Sequence, residues 1–361
     1  MRRSVDYPFL TITLILLIGG LLVVSSASVV ISQENFGTSY YYLWHQAGAA
    51  AVGLVGLVAF QAIHYRVWKR LALPLLVASL LLIAAVLLPG VGVVRGGAAR
   101  WLDIGPLSLQ PSEILKLSLI LYLASWLDRR KAQLKSFASA FVPFLAIVGI
   151  VAVLLILQPD IGTLAIIAGS ATVLYFLGGG RLPQLAAFAI LAIAGLAAVI
   201  QLAPYRVARL LVFLNPSLDP QGIGYHLSQA LIAIGSGGFW GKGFGQSIQK
   251  FSYLPEPIGD SVFAVMVEEF GFLGAVITAA LFFAWLLRAI AIARHTTDFF
   301  GKLLVAGLAS TITLQAFIHM AAISGLLPLT GIPLPFFSYG GTALVMTLAM
   351  VGIILNVSKH T

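Results

Sequence analysis

The apolar positions of this chain fall in blocks of about 20 residues, the length that crosses the hydrocarbon core of a bilayer as a helix. Ten blocks are predicted: Pro8–Ile31, Leu43–Ile63, Leu71–Leu88, Ser112–Leu127, Ala138–Leu157, Ile161–Leu177, Pro183–Leu202, Val262–Ala293, Leu303–Ile323 and Ser338–Val357. In lipid a backbone has to satisfy its own hydrogen bonds, so each block is expected to be a helix rather than a strand. The first follows Met1-Arg2-Arg3 and is longer than the roughly 7–15 apolar residues of a signal peptide, so it reads as a retained span. Between spans nine and ten, the stretch Gly325–Pro335 carries no charge and cannot be a continuous helix. Non-helical chain at that depth must be buried in protein or line a wet cavity.

Composition excludes a soluble protein. Of 361 residues, 60% are hydrophobic and 9% charged, against roughly a quarter charged in ordinary soluble chains. The net charge is +9, from 21 Lys and Arg against 12 Asp and Glu. In a soluble chain that excess would suggest nucleic acid. Here cytoplasmic loops account for it, and no nucleic-acid partner is expected. With the N-terminus inside, fourteen basic residues fall on the inner side and six on the outer, while Lys116 lies within a span. The fold class expected is therefore an all-α polytopic membrane protein of ten transmembrane helices, both termini cytoplasmic. It forms one integral membrane domain over 1–361, with a large extracytoplasmic loop at about 204–261 between helices seven and eight. The absence of Cys excludes disulfides and thiolate metal sites. The six His show no metal-ligand spacing, and His226 and His319 read as satisfied buried side chains. Neither G-x-S-x-G nor a Walker A loop occurs, which argues against a serine hydrolase and an ATP-driven pump.

The six outer basic residues, Arg95, Arg100, Arg206, Arg209, Lys242 and Lys250, occupy only two segments, 90–111 and 204–260. Chemistry is therefore expected to face outward. Arg206 and Arg209 are three apart and share a helix face; alone they describe a basic amphipathic helix resting on headgroups. The run Gly235-Ser236-Gly237-Gly238-Phe239-Trp240-Gly241-Lys242-Gly243-Phe244-Gly245 can be a flexible re-entrant loop. Equally it can be a set of N–H groups that, with Lys242, binds a phosphate. Asp260 precedes the eighth block and is either its N-cap or a general base at the outer face. Asp160 stands in the same position before the sixth. Glu268 and Glu269 lie deeper in the eighth helix and need a cavity or a cationic partner. Glu113 and Lys116, three apart, form a structural ion pair or line a polar cavity.

Several short motifs occur in an order that resembles one family. They are Arg100-Trp101-Leu102-Asp103, Gln110-Pro111-Ser112-Glu113, Gln158-Pro159-Asp160-Ile161-Gly162-Thr163, Asn215-Pro216, Asp219-Pro220-Gln221-Gly222 and Ala233-Ile234-Gly235-Ser236-Gly237-Gly238. Leu254-Pro255-Glu256, Glu268-Glu269-Phe270-Gly271 and Gly331-Ile332-Pro333-Leu334-Pro335-Phe336-Phe337-Ser338-Tyr339-Gly340-Gly341 complete the set. The chain resembles the SEDS family (shape, elongation, division and sporulation), the group of FtsW, RodA and SpoVE, and looks closer to its FtsW and SpoVE branch.

That resemblance implies a peptidoglycan glycosyltransferase of the bacterial cytoplasmic membrane. Such an enzyme polymerises lipid II at the outer face for division or elongation. It implies a class B penicillin-binding protein as partner, with other divisome or elongasome membrane proteins. The family's essential acid falls on Asp260, although many relatives have His-Thr-Asp where this chain has Ile258-Gly259-Asp260. The expected substrate-binding set is Arg100, Trp101, Gln110, Ser112, Glu113, Lys116, Asp160, Thr163, Arg206, Arg209, Lys242 and Ser338. No cofactor is certain; a divalent cation, Mg or Mn, is the candidate. The rival readings are a lipid II flippase, an O-antigen polymerase or ligase, and a scaffold for division proteins.

Overall fold

The computed structural model describes residues 4–360 except 96, 106, 202, 216, 217, 221 and 252, and leaves aside the side chains of 95, 104, 107, 204 and 223. Met1, Arg2, Arg3, Leu202, Pro216 and Gln221, used above, lie outside the described residues, as does the side chain of Arg95. The first block forms α1 (Tyr7–Ala27) and continues past Ser28 as α2 (Val29–Phe36). Next come α3 (Tyr41–Ala62), α4 (Arg66–Val86), α5 (Pro111–Arg129), α6 (Phe137–Leu157), α7 (Ile161–Gly178) and α8 (Leu182–Gln201). Two helices outside the block pattern, α9 (Pro204–Leu214) and α10 (Ile223–Ser236), occupy the long segment before α11 (Val262–His295), α12 (Phe299–Ile323) and α13 (Gly341–Ser358).

Among the described residues, nine helices are long and apolar enough to cross a membrane. The tenth predicted span, α5, has the length but carries Glu113, Lys116, Asp128 and Arg129. It is buried over most of its surface, because charged groups at that depth are tolerated only inside protein. With α12 and α13 it forms the interior. At the periphery, α8 leaves Ile190, Leu191 and Ile193 exposed, as a lipid-facing helix should.

The description all-α needs one correction. Between α4 and α5 stands a small antiparallel sheet, β1 (Val93–Arg95), β2 (Ala98–Ile104) and β3 (Leu107–Leu109), in that order. Trp101 faces Val93 across one ladder and Asp103 faces Ser108 across the other. Its strands are too short to show a period in sequence, and they turn at Gly97 and Gly105, both with positive φ.

Two irregularities shape the end of the bundle that carries α9 and α10. Gly271 interrupts α11 with φ 70° and ψ −169°, a conformation open to glycine alone. The carbonyls of Glu268 and Glu269 lose their own helical partners there and accept the N–H groups of Lys242 and Gly243, each at 3.0 Å. In return Phe272 and Leu273 donate to the carbonyls of Gly238 and Phe239. The glycine-rich loop is thus stitched into the helix by four backbone bonds. The second irregularity is the predicted non-helical stretch after α12, which folds back into the bundle. Gln315 Nε2 donates to the Pro333 carbonyl at 2.8 Å, and His319 Nδ1 lies 2.7 Å from the Ile332 carbonyl. Gln46 of α3 both donates to the Ser338 carbonyl and accepts from the Gly340 N–H. Side chains of the neighbouring helices supply the partners that lipid could not.

Candidate active site

The segment from Leu254 to Ser261 is a tight turn anchored on the re-entrant loop. The Gly259 and Ser261 N–H groups both bond to the Glu256 carbonyl at 3.1 Å, with Glu256 at φ 47°. Ser338 Oγ donates to the Gly259 carbonyl and accepts the Leu334 N–H, both at 2.8 Å, and the Tyr339 N–H donates to the Ile258 carbonyl. Ser261, not Asp260, occupies the cap position of α11, without a side-chain cap bond. Ser261 Oγ instead donates to the Pro255 carbonyl and meets His226 Nε2, both at 2.7 Å. The helix-cap reading of Asp260 therefore fails: its carboxylate bonds to no helix N–H.

Asp260 opens into a cavity of about 430 Å³ lined also by Arg209, His226, His319, Thr330 and Gly331. No hydrogen bond or ion pair holds its oxygens among the described residues. Burial pushes its carboxyl above the ordinary aspartate range, and the Arg100 and Arg209 guanidiniums only partly oppose that. Glu256 is raised in the same way, first by burial and then by the charge of Asp260. His226 is lowered, chiefly by burial. A carboxylate that is unbonded, raised and open to a cavity has the properties of a general base.

The other predicted residues divide into three groups. Arg209 reaches the cavity, while Arg100 acts on Asp260 through its charge and donates to the Pro159 carbonyl. Beside Arg100, Asp160 caps α7 by accepting the Thr163 N–H at 3.2 Å, and its other oxygen is buried without a partner. The Nε of Arg100, both amide atoms of Gln158 and the Ser112 hydroxyl are likewise buried and unpaired. A second group supports the loop from below. Lys116 pairs with Glu113 at 2.8 Å and donates to Gln315 Oε1 at 2.6 Å, and Gln315 in turn holds Pro333. Ser338 belongs here, since it positions the Asp260 turn rather than lining the cavity. Trp101 lies on β2, and Gln110 immediately precedes α5.

Arg206 and Lys242 form the third group, engaged elsewhere. The Arg206 guanidinium donates to Tyr205 Oη and the Val199 carbonyl, each at 2.9 Å; it shares the Tyr205 ring with Arg209 but is not among the cavity-lining residues. Lys242 Nζ lies 2.6 Å from Glu268 Oε1. The same carboxylate accepts from Ser236, Ser247 and the N–H groups of Ile248 and Gln249. The anion received beside the glycine-rich loop is the protein's own Glu268. Glu269 finds Lys250 at 2.9 Å and Ser26, so both deep glutamates have the cationic partner their depth requires.

Sequence reasoning missed the part played by His226 and His319, which it treated as filler. One signal was available: Gln315 and His319 are four apart on α12, and both address adjacent carbonyls of the re-entrant loop.

The fold and this site define a polytopic helical membrane protein with a carboxylate-bearing cavity at one end of its bundle. Residues 7–361 match the model of the cell cycle protein family FTSW_RODA_SPOVE, and the chain belongs to that family. It is 39% identical over 360 residues to stage V sporulation protein E of Bacillus subtilis, covering all of this chain and 98% of that one. It is 42% identical to a probable peptidoglycan glycosyltransferase FtsW of Thioalkalivibrio sp., covering all of this chain and 91% of the relative. Among solved structures, a chain of a peptidoglycan synthase complex superposes with a TM-score of 0.82 at 29% identity, covering 99% of this chain and 98% of that one. The rod shape determining protein RodA of Thermus thermophilus superposes at 0.72 with 29% identity, covering 98% and 97%.

Proposed function

We propose that this chain is a peptidoglycan glycosyltransferase that extends glycan strands from lipid II at the outer face of the bacterial cytoplasmic membrane. The observation that carries the reading is the Asp260 carboxylate, free of protein partners and flanked by Arg100 and Arg209. The outward assignment of that cavity is supported by the distribution of basic residues, which favours cytoplasmic termini on the positive-inside rule.

In the reaction, Asp260 takes the proton of a sugar hydroxyl as its oxygen attacks the anomeric carbon of the donor. The bond from that carbon to the lipid pyrophosphate breaks, and the electron pair leaves with the pyrophosphate. Arg209, with Arg100 behind it, stabilises the charge that grows there. One base is sufficient for a single inverting displacement. Among the described residues no group of three or more His, Asp or Glu could hold a metal ion. Mg or Mn shared between the Asp260 carboxylate and the substrate pyrophosphate, as such ions are commonly held, would add positive charge against the leaving group; every step above uses side chains alone. The likeness to a chain of a peptidoglycan synthase complex supports a class B penicillin-binding protein as partner.

The test is synthesis of glycan polymer from labelled lipid II in detergent, with and without that partner. Asp260→Asn is expected to abolish polymer while leaving the melting temperature within about 1 °C, because the side chain holds no structural bond. Equal polymer from both proteins would remove Asp260 from the chemistry. No polymer from wild type, even with the partner, would favour a flippase.

A further inference from the structure

Beside Arg209 and Thr330, the polar side chains lining the Asp260 cavity are the carboxylate itself and two imidazoles, His226 and His319. Ser261 has one hydroxyl proton, and it points to the Pro255 carbonyl at 2.7 Å. The 2.7 Å contact between Ser261 Oγ and His226 must therefore be donated by Nε2–H of the imidazole, which leaves Nδ1 as the lone-pair nitrogen. Nδ1 of His226 takes no donor among the described residues. The same logic applies to His319. The Ile332 carbonyl, 2.7 Å from Nδ1, can only accept, so the proton sits on Nδ1 and Nε2 carries the lone pair. His319 is 2% exposed, and its Nε2 is buried without a partner. Both rings line the cavity with Asp260. Each imidazole has one nitrogen committed to the backbone framework and the other uncommitted beside the only carboxylate of the lining.

His319 Nε2 is a buried acceptor without a donor, which costs of the order of 1–3 kcal/mol. With the unengaged Nδ1 of the half-buried His226 beside a carboxylate, it calls for a ligand rich in O–H or N–H groups. Phosphate has no donor to offer. A hard cation such as Mg prefers oxygen ligands and would leave these imidazole lone pairs unsatisfied, and no group of three or more His, Asp or Glu that could hold a metal ion occurs among the described residues. We infer that His226 and His319 are a hydroxyl-binding pair that holds the sugar ring whose hydroxyl faces Asp260, leaving Arg209 to the pyrophosphate. This rests on the catalytic reading of the cavity and specifies which part of the substrate lies where.

The experiment compares binding of two ligands, lipid II and undecaprenyl pyrophosphate without its sugars, to full-length protein in detergent. All variants carry Asp260→Asn to prevent turnover. His226→Phe and His319→Phe are expected to weaken lipid II binding about tenfold each, the scale of one lost buried hydrogen bond. Binding of the sugarless carrier should stay within about twofold. His226→Gln, which keeps an acceptor, should recover most of the loss. Equal weakening of both ligands would mean that the rings serve only the fold, and no weakening would mean that they touch nothing; either overturns the inference. Gln behaving like Phe would also overturn the acceptor role. Polymerisation by the Asp260 parent is assayed in parallel. Polymer without sugar-selective loss leaves the catalytic reading standing and sinks this one, and the reverse result does the opposite.

Discussion

Asp260 shows how far a single residue can be read before its surroundings are known. Position alone made it a cap, because Asp before an apolar helix usually is one, and Asp160 and Asp298 do fill that role by accepting the Thr163 and Gly301 N–H groups. The turn from Leu254 to Ser261 shifts the cap to the next residue and leaves the carboxylate unengaged, an outcome set by loop geometry that no local pattern encodes. Its raised protonation point has a direct consequence. The base must be ionised, so polymerisation should fall on the acid side with a midpoint above the roughly 3.9 of a free aspartate. Since the Arg209 guanidinium opposes the upward shift, Arg209→Gln should move that midpoint to still higher pH. A pH profile of kcat/KM for the two proteins checks both statements; an unmoved midpoint would separate Arg209 from Asp260. Arg209 was legible as an outer cation, but its separation from Arg206 was not. Three residues apart on one helix, both lie over the Tyr205 ring, at 5.3 and 5.9 Å, and they differ because Tyr205 Oη and the Val199 carbonyl take the N–H groups of Arg206 while Arg209 lines the cavity.

At the scale of elements, nine spans among the described residues were legible because lipid imposes length and apolarity on them, while α5, enclosed by protein, was legible by its length and position. The small sheet and the course of α9 and α10 were not, since short interfacial pieces carry no such constraint. The break in α11 was visible only as a glycine within an apolar run. Gly271 lies where a Cβ would overlap the Gly241 nitrogen and the Phe239 carbonyl, in a region of φ and ψ that other residues enter at a cost of about 1–3 kcal/mol. Gly271→Ala should therefore lower thermal stability by at least that amount and dislodge the 238–243 loop. Thermal unfolding together with protease sensitivity at that loop measures both. A variant as stable and resistant as wild type would show that the exchanged hydrogen bonds contribute little.

For the whole molecule, charge distribution is the argument that survives from sequence to structure. The deep carboxylates Glu113, Glu268 and Glu269 each have a lysine, and the cavity with its arginines lies at the end opposite the basic inner loops. Because the chain contains no cysteine, one introduced thiol is a unique marker of sidedness. A cysteine at the exposed Leu218 should react with a membrane-impermeant maleimide in intact cells, and one at the exposed Gln133 only after the membrane is opened. The reverse pattern would invert the topology and with it the outward site. The spliced loop in α11 also supplies an internal clock. The Phe272 and Leu273 amides answer to loop carbonyls rather than to their own helix, so deuterium enters there at the rate at which the loop lifts away. Slow exchange at those two amides on addition of substrate or partner would record that either one clamps the loop, without a mutation or a label anywhere in the chain.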